Sequence, residues 1–384
     1  MRVLQTPPRL YPAIGGVETV VLSLSRALAD LGHEVEVLCA DEPARGPSTV
    51  AGIPTRRLWY PIKVANTNIT PALPAHLALR RFDVVHTHLP TPWSADWSAL
   101  LGRARRKGVV LSYYNDILGS GSAGQVASLY NRLCLPVTLR LVHRVVINST
   151  HLLDKPGSPL RRARRKLRQL PNGVDTELLR PQPELRQPGR IGFLAVLDQF
   201  HRYKGADVLL EATRQLACRG HTIDLRIGGD GPLRAEYAST AASLGISDHV
   251  RFEGFVPEGS LPDFLNSCQV FVLPSTDAMR EGYGLVALEA MACGLPVVVT
   301  EATGVAALVR DCDAGFVVPP GDPAALALAI ERLISSPDIA HHHGMQGRKA
   351  MEERHSWKAI AHEFEQLYTQ AINAARTPRK RLHS

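Results

Sequence analysis

Short apolar runs rich in β-branched residues alternate with amphipathic helical stretches along almost the whole chain, and this alternation constrains the fold most strongly. It is typical of parallel sheets with helices on both faces. It occurs in two series, one on each side of a stretch at 181–189 that is rich in proline and glycine. The sequence therefore predicts an α/β protein with two Rossmann-like, doubly wound domains. The length of 384 residues agrees, since single domains usually have about 100–200 residues.

The proline-rich stretch predicts a domain boundary near residue 180, with a first domain at 1–180 and a second at 188–356. Apolar residues recur at a helical period in the last segment, which predicts a helix at about 357–376 that crosses back onto the first domain. In the first domain, strands are predicted at Arg2 to Gln5, His33 to Cys39, Asp83 to His86, Val109 to Tyr113 and Arg144 to Asn148, with helices at Val17 to Leu31 and Gln125 to Leu141. In the second, strands are predicted at Arg190 to Leu197, Asp224 to Gly228, His249 to Phe255, Gln269 to Pro274, Pro296 to Thr300 and Gly315 to Val318.

Composition excludes several classes of protein. No apolar run approaches the roughly 18–20 residues of a membrane span, and the first residues lack the apolar stretch of an export signal. The six cysteines form no Cys-x-x-Cys pair and lie among apolar residues, which favours reduced core residues over disulfides or a zinc site. We therefore expect a cytoplasmic protein, with the inner face of the membrane as a second possible location.

Positive charge is concentrated in the first half of the chain. Residues 1–185 hold 24 Lys/Arg and 13 Asp/Glu, a balance of +11, whereas the rest holds 20 and 23, a balance of −3. Six cations fall in the eight residues Arg161–Arg168. This run is either a solvated face or a contact with an anionic membrane or a charged acceptor. Nucleic acid is not expected as a partner, because no known binding module accompanies the charge.

Two segments of the first domain could bind a ligand. Gly15-Gly16 follows the first strand and opens a helix, so it outlines a phosphate cradle or a simple tight turn. His86 and His88 fall on one face at the end of a strand, where spacing suggests no third zinc ligand, so neutral hydrogen-bonding histidines are favoured.

The tract His341-His342-His343 of the second domain is interpreted as the solvated face of a polar helical stretch.

The segment from Glu281 to Glu289 places two carboxylates eight positions apart across a glycine-rich turn that leads into a helix. The unpaired amides of such a turn can bind hydroxyls or phosphate, and Glu289 can accept two hydrogen bonds from a vicinal diol such as ribose. The apolar helix and strand that follow, up to Val299, argue against two ordinary surface glutamates.

This segment resembles the E-x7-E region of the retaining glycosyltransferases of family 4, and further matches occur in the order of that family along nearly the whole chain. They are Gly15-Gly16-Val17-Glu18, Asp83 to His88, Pro171 to Asp175, Lys204-Gly205, Gly229 to Pro232 and Gly321-Asp322. The resemblance implies the GT-B architecture, two facing Rossmann-like domains that bind the donor nucleotide sugar in the second domain and the acceptor mostly in the first. It also implies that no metal or other cofactor is required. Asp311-Cys312-Asp313 mimics an Asp-x-Asp metal motif but is interpreted as a loop before a strand.

The resemblance also implies roles for individual residues. Lys204, His88 and Glu281 would be the catalytic residues: Lys204 pairs with the donor diphosphate, while Glu281 and His88 contact the transferred sugar from different domains. Domain closure is therefore expected to assemble the site. The donor would be bound by Gly16, Lys204, Gly282, Tyr283, Gly284, Leu285 and Glu289, and the acceptor side would include Tyr114, Asn115 and Asp116.

Two departures from the family pattern are visible. Members commonly carry a Gly-Arg pair before the Lys-Gly, and its arginine is the second cation for the diphosphate. This chain has no arginine there, and Arg202 and His201 are both candidates to replace it. In the segment Ser112 to Asp116, Tyr114 stands where the family often has histidine.

The reaction implied is hexosyl transfer from a nucleoside diphosphate sugar, with UDP favoured, to an acceptor hydroxyl with retained anomeric configuration. No carboxylate stands out as the nucleophile of a double displacement, so front-face transfer is expected, with Lys204 and backbone amides stabilising the leaving diphosphate. The acceptor is a lipid-linked saccharide, a polysaccharide or a small metabolite. The alternatives are a nucleotide-sugar epimerase or phosphorylase on the same fold, or a non-catalytic subunit that binds a nucleotide sugar.

Overall fold

The computed structural model describes residues 1–377 except 14, 65, 115–116, 118–120, 149–152, 154–157, 279 and 282, and excluding the side chains of 121–123. Contacts divide the chain into two units. The first comprises Met1–Gly173 and the segment that begins at Trp357, and the second comprises Val174–Ser356.

The first unit contains an eight-stranded sheet in the order β10-β9-β8-β7-β1-β2-β4-β3, in which every pair except β3 with β4 is parallel. A separate antiparallel hairpin is formed by β5 and β6. The strands are β1 (Arg2–Thr6), β2 (Glu34–Ala40), β3 (Thr49–Val50), β4 (Ile53–Leu58), β5 (Ile62–Val64), β6 (Thr67–Ile69), β7 (Val84–Leu89), β8 (Gly108–Tyr113), β9 (Arg144–Ile147) and β10 (Leu167–Gln169). The helices before residue 142 are α1 (Gly16–Asp30), α2 (Leu73–Leu79), α3 (Pro92–Ala104), α4 (Gly121–Leu133) and α5 (Leu135–Leu141).

The second unit contains a parallel six-stranded sheet in the order β13-β12-β11-β14-β15-β16, which is the strand order of a Rossmann fold. Its strands are β11 (Arg190–Leu194), β12 (Asp224–Gly228), β13 (Val250–Gly254), β14 (Val270–Leu273), β15 (Val297–Thr300) and β16 (Gly315–Val318). Its helices are α6 (Ala206–Cys218), α7 (Arg234–Ser243), α8 (Leu261–Asn266), α9 (Leu285–Ala292), α10 (Ala306–Asp311), α11 (Pro323–Ser335) and α12 (Pro337–Ala350). Buried apolar side chains cover both faces of this sheet.

The last helix, α13 (Trp357–Arg376), completes the first unit. Its apolar face buries Ile360, Phe364 and Leu367 beside the side chains of α1 and of the central strands. The hydroxyl of Tyr368 on this helix lies 2.8 Å from Nδ1 of His86 on β7. The C-terminal helix was expected to return to the first domain, and its apolar face is part of the core of this unit.

The division between the units falls after Gly173, earlier than the boundary expected near residue 180. Val174 lies where the chain enters the second unit, and His355 lies just before the chain returns to the first. The amide of Val174 donates to the carbonyl of His355 at 2.7 Å. The proline-rich stretch packs on the second unit, where the amide of Gln182 donates to Oδ1 of Asn266 at 2.8 Å. These contacts place residues 174–185 with the second unit.

Several local expectations differ from the structure. The helix predicted from Gln125 to Leu141 is two helices, because Pro136 has no N–H to donate into a continuous helix, and α5 begins at Leu135. The short strands β3 to β6 and β10 were not predicted. The cysteines are not all core residues, since Cys134 and Cys218 are exposed.

Within the part of the chain that the structure describes, no helix combines the length and the apolar character needed to cross a membrane.

We expect Phe364→Ala to destabilise the first unit by about 3–5 kcal/mol, because truncation of a buried phenylalanine loses apolar contacts and leaves a cavity. Urea unfolding followed by hydrogen exchange, which resolves the two units, measures the change. Leu328→Ala is the control, because that leucine is exposed on α11 and its loss should change stability by less than about 0.5 kcal/mol. Equal effects of both variants would contradict the docking of α13.

Candidate active site

The strand order of the second unit determines where a ligand can bind. β11 lies between β12 and β14, so the connections from these strands leave the central part of the sheet in opposite directions. Ligands of open α/β sheets bind at such a point, outside the carboxyl ends of the strands. The 3₁₀ helix Gln199–Lys204 follows β11, and Glu281 follows β14. The two sequence-predicted side chains Lys204 and Glu281 are thus brought together.

Lys204 and Glu281 form an ion pair at this point. Nζ of Lys204 lies 3.0 Å from Oε1 and 2.8 Å from Oε2 of Glu281. The hydroxyl of Ser275 also donates to Oε2, at 2.5 Å. The Glu281 side chain is only 2% exposed, whereas that of Lys204 is 18% exposed. The carboxylate is therefore held inside, and the ammonium retains a route to solvent and one further donor.

Two glycines allow this close packing. Gly205 has φ 77°, and a Cβ there would lie 2.1 Å from the carbonyl oxygen of Pro274. Gly284 has φ 88°, and its Cβ would lie 2.7 Å from Cδ2 of Leu273. Any other residue would have to adopt a left-handed conformation and displace the end of β14. Lys204 and α9 both depend on this strand end for their position.

The turn before α9 exposes backbone donors. Among the described residues, the amides of Tyr283, Gly284 and Leu285 have no hydrogen-bond acceptor. Gly284 is the N-cap of α9, so these amides lie at the positive end of the helix. The side chain of Tyr283 is buried in the apolar core, and only its backbone is available to a ligand. The predicted donor-binding role of this turn therefore depends on its N–H groups.

Glu289 carries a carboxylate without a donor. It lies on α9, it is partly buried, and no described residue donates a hydrogen bond to it. Burial raises the pKa of this carboxyl from 4.5 to about 7, and the negative charge of Glu258 adds to the effect. An unsatisfied acceptor of this kind is suited to two donors from a ligand such as a diol.

The two candidates for the second cation are engaged elsewhere. Nδ1 of His201 lies 2.8 Å from Oδ1 of Asp198, and the guanidinium of Arg202 donates to Glu236 at 2.6 Å. Sequence reasoning missed Arg280, which directly precedes Glu281, is 56% exposed, and is only loosely paired, with its Nε 3.6 Å from Oδ2 of Asp277. Burial and the negative charge of Glu281 raise the pKa of the Tyr203 phenol, and the positive charge of Arg280 offsets part of this rise. The centre of the Tyr203 ring lies 5.3 Å from Nζ of Lys204. In the sequence, the position of Arg280 directly before Glu281 could have indicated this residue, but the family pattern places the second cation before Lys204.

In the first unit, the turn at Gly15-Gly16 lies where β1 and β7 end, which is again a point where the strand order reverses. The amide of Gly16 has no acceptor among the described residues. The carboxylate of Glu18, which is buried, occupies this end of α1, and Nε of Arg9 donates to it at 2.7 Å. An anion that approached Gly16 would meet a helix end already occupied by a negative charge.

His88 lies at the end of β7 and is fully buried. Its Nε2 is 2.9 Å from Oε1 of Gln5, and its Nδ1 is 3.2 Å from the hydroxyl of Tyr114. Since the Gln5 oxygen can only accept, Nε2 carries the proton and Nδ1 accepts from Tyr114. Beside it, His86 is bound by Tyr368 and Ser112, each at 2.8 Å.

Both histidines are neutral. Burial lowers the pKa of His88 to about 3 and that of His86 well below its usual value. The expectation of neutral hydrogen-bonding histidines therefore agrees with their environment. The imidazole of His88 reaches no exposed face, whereas Tyr114, stacked on it with ring centres 6.0 Å apart, is partly exposed.

The histidine tract is a solvated face only in part, since His341 and His342 are exposed. His343 is buried, and its Nδ1 lies 2.7 Å from the carbonyl oxygen of Asp313, while Nε2 of His342 lies 3.0 Å from Oδ2 of the same residue. These three residues are the only group of metal-ligand type that lies close together in the described part of the chain. The ring nitrogens that face Asp313 are used in hydrogen bonds, which hold α12 to the loop before β16.

Three predicted site residues, Asn115, Asp116 and Gly282, lie outside the described residues.

Two Rossmann-like units, with a C-terminal helix that returns to the first, are the elements of the GT-B architecture. Solved structures of this architecture are similar to the chain. Sucrose-phosphate synthase from Thermosynechococcus elongatus gives a TM-score of 0.75 at 24% identity and covers 97% of this chain and 100% of its own. Anabaena Alr3699/HepE in complex with UDP gives 0.74 at 19% identity, with 96% and 100% covered. The predicted fold class is thus confirmed.

Sequence comparisons narrow the class to a family. Residues 14–178 match the profile described as Glycosyltransferase Family 4, and residues 182–350 match that of Glycosyl transferases group 1. D-inositol 3-phosphate glycosyltransferase from Frankia alni is 30% identical over 97% of this chain and 99% of its own. Phosphatidyl-myo-inositol mannosyltransferase from Mycobacterium leprae is 27% identical over 96% of each. The chain belongs to glycosyltransferase family 4 and is a glycosyltransferase, as the sequence predicted.

The environment of Glu289 makes the second unit less stable as the pH rises. Because the pKa of the folded state is above that of the unfolded chain, the protonated form stabilises the fold at low pH, and this contribution is lost between about pH 4.5 and 7. We expect Glu289→Gln to be more stable than the wild type by about 1–2 kcal/mol at pH 8, a value reduced by partial solvation, and equally stable at pH 4.5.

Urea unfolding across this pH range, followed by hydrogen exchange, measures the effect. Glu177→Gln, at an exposed position of the same unit, is the matched control and should leave the pH profile unchanged. Parallel stability curves for the wild type and Glu289→Gln would contradict the burial of an unpaired carboxyl.

Proposed function

We propose that this chain transfers a hexosyl group from a nucleoside diphosphate sugar to an acceptor hydroxyl, with retained anomeric configuration and without a metal ion. The observation that supports this most is that the segments after β11 and β14 of the second unit provide a cation, unpaired amides and an unpaired carboxylate. They are provided by Lys204, by Tyr283 to Leu285 and by Glu289. A nucleoside diphosphate sugar offers an anionic diphosphate, sugar hydroxyls and a ribose diol to match them.

Lys204 and the amides would bind the diphosphate as its negative charge increases during cleavage. Donors fixed before the reaction stabilise that charge without reorganisation. The partly exposed ammonium of Lys204 is held by Glu281, so it is oriented before the donor arrives. Glu281 and the turn amides would bind hydroxyls of the transferred sugar, and Glu289 would accept from the ribose.

The environment of Glu281 favours front-face transfer. Both carboxylate oxygens are engaged by Lys204, and Ser275 also donates to one of them, in a side chain that is almost fully buried. A nucleophile of a double displacement needs a free oxygen that can approach the anomeric carbon. In the proposed reaction, an oxygen of the departing diphosphate instead takes the proton of the acceptor hydroxyl.

In the first unit, we assign ligand contact to the Tyr114 hydroxyl, which His88 orients. The imidazole of His88 could contact a sugar itself only if Tyr114 gave up its hydrogen bond to Nδ1. The unpaired amide of Gly16 is a second donor at this edge of the sheet. Asn115 and Asp116 continue the chain after Tyr114 and remain proposed acceptor-side residues.

UDP is the proposed donor nucleotide, and the solved complex of Anabaena Alr3699/HepE with UDP gives this choice support by analogy of fold. The names of the two relatives point to phosphatidyl-myo-inositol and D-inositol 3-phosphate as acceptors to test beside saccharides. For the lipid-linked case, the exposed arginines of Arg161–Arg168 would provide peripheral contact with an anionic membrane.

A donor panel tests the proposal. The full chain is incubated in EDTA with UDP, GDP, ADP and TDP sugars and the acceptors above, and the products and intact protein mass are analysed. Lys204→Gln should lower kcat/KM by about 10²–10³-fold, because it removes a cation that stabilises the leaving group. Lys349→Gln is the control, because that lysine is exposed in the same unit and should retain full activity.

The same experiment distinguishes the alternatives. Conversion of the donor to its epimer without an acceptor, or turnover that requires inorganic phosphate, would replace transfer by epimerase or phosphorylase activity. Donor binding without turnover would indicate a non-catalytic subunit. A stable glycosyl adduct on Glu281 would contradict the front-face mechanism, and loss of activity in EDTA would contradict metal independence.

We also propose that Arg280 is the second cation at the diphosphate. Arg280→Gln should lower kcat/KM by about tenfold or more, less than the loss at Lys204, because the guanidinium is exposed and its charge is partly screened. Arg202→Gln is the matched control, because Arg202 pairs with Glu236. If Arg202→Gln caused the larger loss, Arg202 rather than Arg280 would replace the arginine of the family pattern.

A further inference from the structure

Four large apolar side chains form an exposed row along α4 and α5. Val126, Leu129, Leu133 and Val137 are 57%, 59%, 57% and 55% exposed. Within α4, spacings of three and four residues place Val126, Leu129 and Leu133 on one side of consecutive turns, and Val137 follows four residues later on α5. We call these four residues the α4–α5 stripe. Isolated exposed leucines are ordinary, but a continuous row marks a surface that is covered by something.

The stripe is held outward by contacts on the other side of these helices. The hydroxyl of Tyr130 donates to Oδ1 of Asp96 at 2.7 Å, and the hydroxyl of Thr138 donates to the same oxygen. Leu135 and Leu139 are buried in the core of the first unit. Both helices are thus fixed to α3, and turning the stripe inward would break these two hydrogen bonds and remove leucines from the core.

Exposed arginines lie beside the end of α5. Nζ of Lys166 donates to the carbonyl oxygens of Leu139, Arg140 and Val142, at 2.9, 2.7 and 2.8 Å, and so caps α5. This fixes the 3₁₀ helix Pro159–Lys166 against α5, with Leu160 and Ala163 buried beneath it. Its other four cations, Arg161, Arg162, Arg164 and Arg165, are exposed, and we call them the arginine cluster.

The arginine cluster has no anionic partner in the described part of the chain, since none of its members forms an ion pair there. Arg132 on α4 and Arg140 on α5 add two further exposed cations on the same helices as the stripe. The surface therefore combines apolar side chains with uncompensated positive charge.

We propose that the α4–α5 stripe and the arginine cluster form one docking surface for an anionic lipid bilayer. The stripe enters the boundary between headgroups and acyl chains, and the arginines bind lipid phosphates, as expected for an amphipathic element with a basic flank. This proposal identifies the surface that would make the membrane contact of the proposed function. It rests on that function only through the choice of a lipid-linked acceptor. A second copy of the chain fits less well, because a symmetric pair would bring two arginine clusters together.

Sedimentation of the full chain with vesicles tests this surface. Vesicles of phosphatidylcholine with phosphatidylglycerol should bind the chain, and vesicles of phosphatidylcholine alone should bind it far more weakly. Replacing the four arginines of the cluster by glutamine should weaken binding about fivefold for each charge removed. Replacing them by lysine should preserve most of the binding. Equal binding to both vesicle types would overturn the charge component.

The stripe is tested separately with Leu129→Ser combined with Leu133→Ser. We expect about tenfold or more weaker binding at every salt concentration, because the apolar contribution is lost while the number of arginine–phosphate contacts is unchanged. Leu328→Ser, at a leucine of similar exposure on α11, is the control and should bind like the wild type. Unchanged binding by the double variant would overturn insertion of the stripe.

Insertion is also visible directly. Emission of Leu133→Trp, corrected for the native tryptophans, should shift to the blue on anionic vesicles, and that of Leu328→Trp should not. Sedimentation equilibrium identifies the competing occupant: a dimer of the full chain that the double serine variant abolishes would assign the stripe to self-association and overturn the proposal.

Turnover of a water-soluble acceptor separates this proposal from the proposed function. The double serine variant should retain this turnover while it loses vesicle binding. Vesicle binding by a chain that transfers no sugar would leave the docking surface in place and refute the function, and transfer without vesicle binding would refute the surface alone.

Discussion

Parallel pairing of β11 with strands on both of its sides is the constraint on which the second unit depends. Ile191 is paired with Leu225 of β12 on one side and with Val270 of β14 on the other. Since parallel strands must be joined by crossover helices, the chain leaves this point in two directions and returns to the same edge. That edge is where Lys204 and Glu281 meet, so the site follows from the order of the strands.

Much of this organisation is visible in the sequence. The strands at Asp224 to Gly228 and Gly315 to Val318 have the predicted bounds, because each is a short segment with β-forming apolar residues that begins or ends at a glycine. The elements that were missed, such as β4 and β10, contain consecutive polar and basic residues, so their apolar signal is weak. The break between α4 and α5 required the local effect of Pro136 to be weighed against a continuous apolar period.

The candidate site was predictable in its members but not in their pairing. Family pattern and spacing indicated Lys204, Glu281, Glu289 and His88, yet no sequence signal shows that Lys204 binds Glu281 or that Tyr114 fills Nδ1 of His88. Such contacts depend on side-chain directions across elements that are distant in sequence. The same reason explains Arg280 and Asp313, whose neighbours become visible only when the loops are folded.

The two crossings of the chain, at Val174 and again at Trp357, make the second unit a continuous insert within the first. One face of the first unit's sheet is covered partly by α13, and this helix contributes Phe364 and Tyr368 to the buried cluster that contains Val84 and Val110. During synthesis on the ribosome, the insert emerges complete before that helix does, so it can fold as a unit while the N-terminal half still exposes an apolar sheet face. The chain thus finishes its first domain last, and the nascent protein must be protected from aggregation for the time needed to translate the whole insert.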